Sequence, residues 1–176
     1  MKSQPLALRP HDICVLLQYT LTPEVPFREL SKLVGLSLGE AHNATKRLEA
    51  SRLVPPGGGT VNASGSVEFL VSGVPYAFPG ILGPEARGVP TAHSGPVLRD
   101  DIRSGEMVVW PSVKGDVRGL SLIPLCQNAP ETAEKNPSLY GLLTVVDAIR
   151  IGRARERELA QAFLREHFLR EGRGRS

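Results

Sequence analysis

The sequence predicts an α+β protein, mainly α, built in three segments. Three observations carry this expectation. Apolar residues recur at helical spacing within the first 73 positions and again after position 136. Between those stretches, prolines and glycines recur too closely for long helices. Inside that middle part, Met107–Trp110 and Val117–Leu125 have the look of short strands. The expected division is therefore a helical domain over 1–73, a Pro/Gly-rich segment with a short β-hairpin over 74–136, and C-terminal helices over 137–176.

The composition fits a soluble globular chain, with 41% hydrophobic and 22% charged residues. No apolar run reaches the ~18 residues of a membrane span. Met1 to Arg9 lacks the apolar centre of a signal peptide. The expectation is a cytoplasmic protein with no membrane partner. Two cysteines, Cys14 and Cys126, lie in apolar surroundings far apart in sequence. Without an export signal they read as buried thiols rather than a disulfide. The net charge of +3 is unevenly spread. Residues 1–60 carry seven Lys/Arg against five Asp/Glu, 61–136 six against eight, and 137–176 eight against five. Basic ends around an acidic middle favour a polyanion contact at one or both ends.

The elements follow in order. Pro10 suits a first helical turn, and Ile13, Leu16 and Leu17 continue a helix over Pro10 to Tyr19. Thr22, Pro23 and Pro26 break it. Phe27, Leu30, Leu33 and Val34 share one face of a second helix, which Gly35 stops. Ser37 is a good N-cap, and Glu40 three residues on completes a capping box. Ala41, Ala44 and Leu48 then form a narrow apolar stripe on a third helix ending near Arg52. Two helices meeting steeply through a short turn need a turn glycine and small contact residues, and Ser31, Ala41 and Ala44 supply the latter. Phe27 to Leu53 thus reads as a helix-turn-helix. His42, Asn43, Thr45, Lys46 and Arg47 are assigned to the outward polar face of its second helix.

The run FRELSKLVGLSLGEAHNATKRLEASRLV resembles the helix-turn-helix of MarR-, IclR- and Lrp-type winged-helix bacterial regulators. Glu29-Leu30-Ser31, Gly35-Leu36-Ser37 and Lys46-Arg47-Leu48-Glu49 match in register, over about residues 9–54 with the first helix included. The resemblance implies that Ser37 to Arg52 is a recognition helix for a DNA major groove. Base contacts are expected from His42, Asn43 and Arg47, with Thr45 beside them, and phosphate contacts from Ser37, Lys46 and Arg52.

A wing should follow as strand, hairpin, strand. Leu53-Val54 and the PPGGGT turn of Pro55 to Thr60 fit its beginning. Asn62 then looks like another N-cap, with Val67, Leu70, Val71 and Val74 at helical spacing and Gly73 as a stop. A fourth helix competes here with a strand over Ser66 to Ser72. Further on, Tyr76 to Phe78 reads as a short strand, and Lys114-Gly115-Asp116 as the turn of the hairpin. Thr91, His93 and Ser94 invite a catalytic reading, but no orienting carboxylate motif or nucleophile-elbow glycine pattern surrounds them. His11, His42, His93 and His167 are scattered without metal-ligand spacing, and no phosphate-binding glycine motif is present. The sequence therefore implies no enzyme, no cofactor and no metal.

Asn136-Pro137 opens a helix whose stripe is Leu139, Leu142, Leu143, Val146 and Ile149, and Gly152 kinks or breaks it. Ala154, Leu159, Ala162, Phe163 and Leu169 continue an apolar face toward a tail, Gly172 to Ser176, expected to fray. Arg150, Arg153, Arg155 and Arg157 cluster near the break. They fit a solvated face with pairs such as Arg153–Glu156 and Arg155–Glu158, a phosphate contact, or an acidic protein partner. The leading expectation is a sequence-specific regulator that binds double-stranded DNA as a homodimer through the C-terminal helices, with helix one as a possible addition. The alternative is an interaction module, antitoxin-like or an adaptor, whose Arg-rich C-terminal helix holds a protein partner.

Overall fold

The computed structural model describes residues 6–103 and 105–173. It is an α+β fold with a small three-stranded sheet. The helices α1 (Asp12–Leu21), α2 (Phe27–Val34) and α3 (Leu38–Ala50) come first. A helical segment follows, made of α4 (Ala63–Glu68), a π-helical turn (Phe69–Gly73) and α5 (Val74–Ala77). Then come β1 (Leu82–Pro90), β2 (Val108–Pro111) and β3 (Val117–Leu122). The chain ends in α6 (Ala129–Lys135), α7 (Pro137–Ile151) and α8 (Ala154–Arg173). Among the described residues no helix is long and apolar enough to cross a membrane.

The core runs through all three segments. Residues from α1, α3, α7 and α8 join one hydrophobic cluster, together with Trp110 of β2 and Cys126. Helix α1 is buried all round from Asp12 to Thr20, as expected of a helix apolar on every side. It therefore presents no free face to a second copy, which removes helix one from the expected dimer surface. Cys14 and Cys126 are free and buried. Burial pushes the Cys14 thiol well above its ordinary range, and the neighbouring Cys126 thiol adds to the effect.

The fourth helical segment forms where a wing strand was in question. Asn62 caps it, accepting the Gly65 amide at 3.1 Å. It runs through Gly73, the expected stop, and on to Ala77. The strands read over Ser66 to Ser72 and Tyr76 to Phe78 do not form. The π turn has a cause in Pro75, which cannot donate to the carbonyl four residues back and so widens the helix just before it. No strand is present over 53–77. Instead, the loop after α3 closes on itself through the Asn62 amide to the Leu53 carbonyl at 2.9 Å.

The middle segment corrects the hairpin. β2 and β3 both run antiparallel to β1 and parallel to each other, closing a minimal barrel. β1 lies where the sequence showed only loop signals, including Pro84 and Pro90. Gly88 explains the closure. It faces both Pro111 of β2 and Val117 of β3. A Cβ there would sit 2.0 Å from the Trp110 carbonyl oxygen, so only glycine permits the approach.

The C-terminal helices start and break as expected. Asn136 accepts the Leu139 amide at 3.3 Å ahead of Pro137. Gly152 adopts extended backbone and separates α7 from α8. Gly172 and Arg173 lie within α8. The rest of the tail expected to fray, 174–176, lies outside the described residues, as does 1–5 at the other end.

Candidate nucleic-acid interface

The turn between α2 and α3 is built from its sequence. Gly35 takes the left-handed conformation at φ 68°, and Leu36 donates back to the Ser31 carbonyl at 3.0 Å, closing α2. The Ser37 hydroxyl accepts the Glu40 amide at 3.2 Å, while Glu40 accepts the Ser37 amide at 3.0 Å. Both halves of the capping box are therefore made. The Ser37 bonds hold the Glu40 carboxyl below its usual range.

Helix α3 then splits into two faces. Ala41, Ala44, Thr45, Arg47 and Leu48 are buried against α1 and α2. Leu38, Gly39, His42, Asn43, Lys46 and Ala50 are exposed. The sequence-assigned residues divide accordingly. Ser37, His42, Asn43 and Lys46 share the outer side, with His42 seated against the Phe27 ring at 5.2 Å. Arg52 is exposed just past the helix, in left-handed backbone at φ 59°.

Thr45 and Arg47 do not belong to that outer face. Thr45 is fully buried and donates to the Ala41 carbonyl at 3.0 Å. Its one proton is thereby used, so Tyr19 donates to the Thr45 oxygen at 3.0 Å. Arg47 reaches inward to Asp12 of α1, with its Nε and terminal nitrogen each 2.7 Å from a carboxylate oxygen. The same terminal nitrogen lies 3.0 Å from His11 Nε2. The bond to Asp12 raises the Arg47 pKa. The physical reason is the helix period. Position 47 lies three residues from Ala44 and one from Leu48, on the inner side, and a carboxylate waits there. Arg47 therefore clamps α3 to α1 and does not stand on the outer face where the sequence placed it.

Two features escaped the sequence. Glu49 accepts the Gly57 amide at 2.6 Å and Lys46 Nζ at 3.0 Å, tying the glycine loop to the end of α3. Burial raises the Glu49 pKa, but these bonds outweigh it and the net shift is downward. Gly58, at φ 86°, lets the loop lie on the Tyr19 ring, since a Cβ there would fall 2.2 Å from the hydroxyl. Arg28 and Lys32 of α2 are also exposed. Their positions on the polar side of that helix could have flagged them.

The C-terminal arginines separate as well. The Arg150 side chain is 6% exposed and pairs with Asp147 at 2.7 Å, while its Nε donates to the Phe78 carbonyl at 2.8 Å. Its guanidinium is thereby engaged within the fold rather than grouped with the exposed arginines. Arg153, Arg155 and Arg157 are exposed. The expected Arg153–Glu156 side-chain pair is replaced by a cap, in which Glu156 accepts the Arg153 backbone amide at 2.9 Å. Thr91, His93 and Ser94 hold structure. Thr91 donates to Asp147 at 2.7 Å, His93 Nε2 lies 2.8 Å from the Glu106 carbonyl, and Ser94 accepts the Val108 amide at 3.0 Å. Among the described residues, no cluster of three or more His, Cys, Asp or Glu side chains is arranged to hold a metal.

Compared with protein-family models, curated proteins and solved structures, the chain has no match.

Proposed function

We propose that this protein is a binding protein, not an enzyme: a sequence-specific regulator of transcription that grips duplex DNA as a homodimer. The carrying observation is the outer face of α3. It offers His42, Asn43 and Lys46 together, on a helix whose inner face is fixed by the Asp12–Arg47 pair. Asn43 and His42 suit base edges, Asn through a bidentate pair with adenine. Lys46, Ser37 and Arg52 suit phosphates, and Arg28 and Lys32 on α2 extend that set. The wing's place is taken by the closed glycine loop. A two-fold dimer would set two copies of α3 about one DNA turn, ~34 Å, apart.

The test is a selection of duplex sequences followed by anisotropy titrations over a range of salt. Asn43→Ala should cost about 1–3 kcal/mol on the selected site and little on random DNA. Lys46→Ala should weaken both and reduce the salt slope by about 1. Absence of any salt-dependent binding would defeat the reading.

The exposed Arg153, Arg155 and Arg157 favour a second reading, an adaptor that holds an acidic protein partner along α8. Recovery of a stoichiometric partner that Arg155→Glu/Arg157→Glu abolishes, from a protein without DNA affinity, would select it.

A further inference from the structure

A groove of about 560 Å³ runs between the α4–α5 segment and the last turns of α8. We propose that it is the surface on which a second copy of this chain docks; this rests on the dimeric reading above and gives it a location. Phe168, 2% exposed, closes the floor, and the half-buried Val67 and Val71 form one wall. At the edge stands Leu169, which is 61% exposed on a soluble surface. Glu68 marks the α4 side and Arg165 the α8 side. Both are exposed, and neither forms an ion pair with any described residue.

Glu68 on one side of the groove and Arg165 on the other offer charge complementarity to a second copy. A two-fold axis relates the same patch on both copies, so residue i of one meets j of the other and j meets i. A groove with a carboxylate on one side and a guanidinium on the other satisfies that condition. Each Arg165 meets the other copy's Glu68, twice per dimer. Each Leu169 projects into the other copy's apolar groove, covering the valines and the Phe168 edge. Burying Leu169 on each copy removes its exposed apolar surface from water twice per dimer. Helix α1 is fully enclosed and offers no rival surface.

Sedimentation velocity over a concentration series tests this, with circular dichroism as the check on folding. The wild type should sediment as a dimer at micromolar concentration. Leu169→Glu, at an exposed position, should leave helicity unchanged and weaken the dimer at least ~100-fold. Arg165→Glu and Glu68→Arg should each weaken it ~10-fold or more, and the two together should restore it by exchanging the charges. A wild type that stays monomeric at high micromolar concentration overturns the proposal. So does a dimer indifferent to Leu169→Glu, or a double charge exchange no better than its parts. A monomer that still shows salt-dependent DNA binding overturns the docking surface while leaving the DNA reading intact. A dimer broken by Leu169→Glu but devoid of DNA affinity does the reverse.

Discussion

Two buried carboxylate–arginine pairs hold different parts of this molecule, and they do so differently. Asp12–Arg47 joins helices 35 residues apart and fixes how α3 sits on α1. Asp147–Arg150 lies within α7, three residues apart, yet its reach is longer. One Asp147 oxygen takes both the Thr91 hydroxyl and the Trp110 indole N–H, and Arg150 turns to the Phe78 carbonyl. The first pair orients one helix. The second anchors irregular chain and the sheet to a helix. Burial pushes the Asp147 pKa up, and Arg150 and the two donors pull against that push. The same chemistry thus serves as a clamp between two helices in one place and a hub in the other.

That contrast can be broken by mutation. Asp147→Ala leaves Arg150 buried without its counter-charge and orphans Thr91 and Trp110, and should cost about 4–5 kcal/mol in urea unfolding. Arg47→Ala should cost less, about 3 kcal/mol, because Asp12 loses its counter-charge but still accepts the Arg9 amide at 2.8 Å. The doubly apolar Asp12→Leu/Arg47→Met should recover most of that loss, within about 1 kcal/mol of the parent. If the clamp only positions α3, this double variant should keep whatever duplex preference the proposed DNA binding gives its parent. A changed preference would return Arg47 to the base-reading set. Ser37→Ala removes the capping box and should cost about 1 kcal/mol of stability.

The smallest expected effect is a pH response. Thr20 donates to the Leu17 carbonyl, so His167 Nε2–H must donate to Thr20 across 2.7 Å. Burial lowers the His167 pKa below its ordinary 6.5. The unfolded chain then binds the proton more readily, so this contribution is complete above about pH 6.5 and declines as pH falls below it. Thermal melts of His167→Gln should lose that acid-side slope while the wild type keeps it.

The N-terminal helices were legible because their signals are local. Gly35, Ser37 and Glu40 act on neighbours within a few residues, and a left-handed turn or a capping box looks the same in any protein. What sequence hid was partnership across distance. Arg47 reads as polar until Asp12 is known to lie buried beside it. A lone acid opening the apolar run Ile13–Leu17 was the available hint, since a buried charge demands a counterpart. The strands were harder. Met107–Trp110 and Val117–Leu125 came close to β2 and β3, but a short connection between them suggested a hairpin. Their true partner, β1, carries Pro84 and Pro90 and shows no alternation. Its pairing depends on Gly88 admitting two strands at once, and no local pattern encodes that. At the candidate site, helix spacing placed His42, Asn43 and Lys46 outward, and Ser37 and Arg52 are exposed beside them. Thr45, Arg47 and Arg150 were lost to the interior.

Trp110, the chain's one tryptophan, is 1% exposed. Its indole N–H rests on Asp147 at 2.6 Å, and its ring lies 5.7 Å from that of Tyr140. All indole fluorescence of this protein therefore originates at the junction of α7 and the small barrel. Emission there should be blue-shifted in the native state and sensitized by Tyr140. Loosening of the barrel would register as a red shift, separable from the far-ultraviolet signal dominated by the helices. The molecule carries its own optical gauge of the region whose architecture was least apparent from its residues.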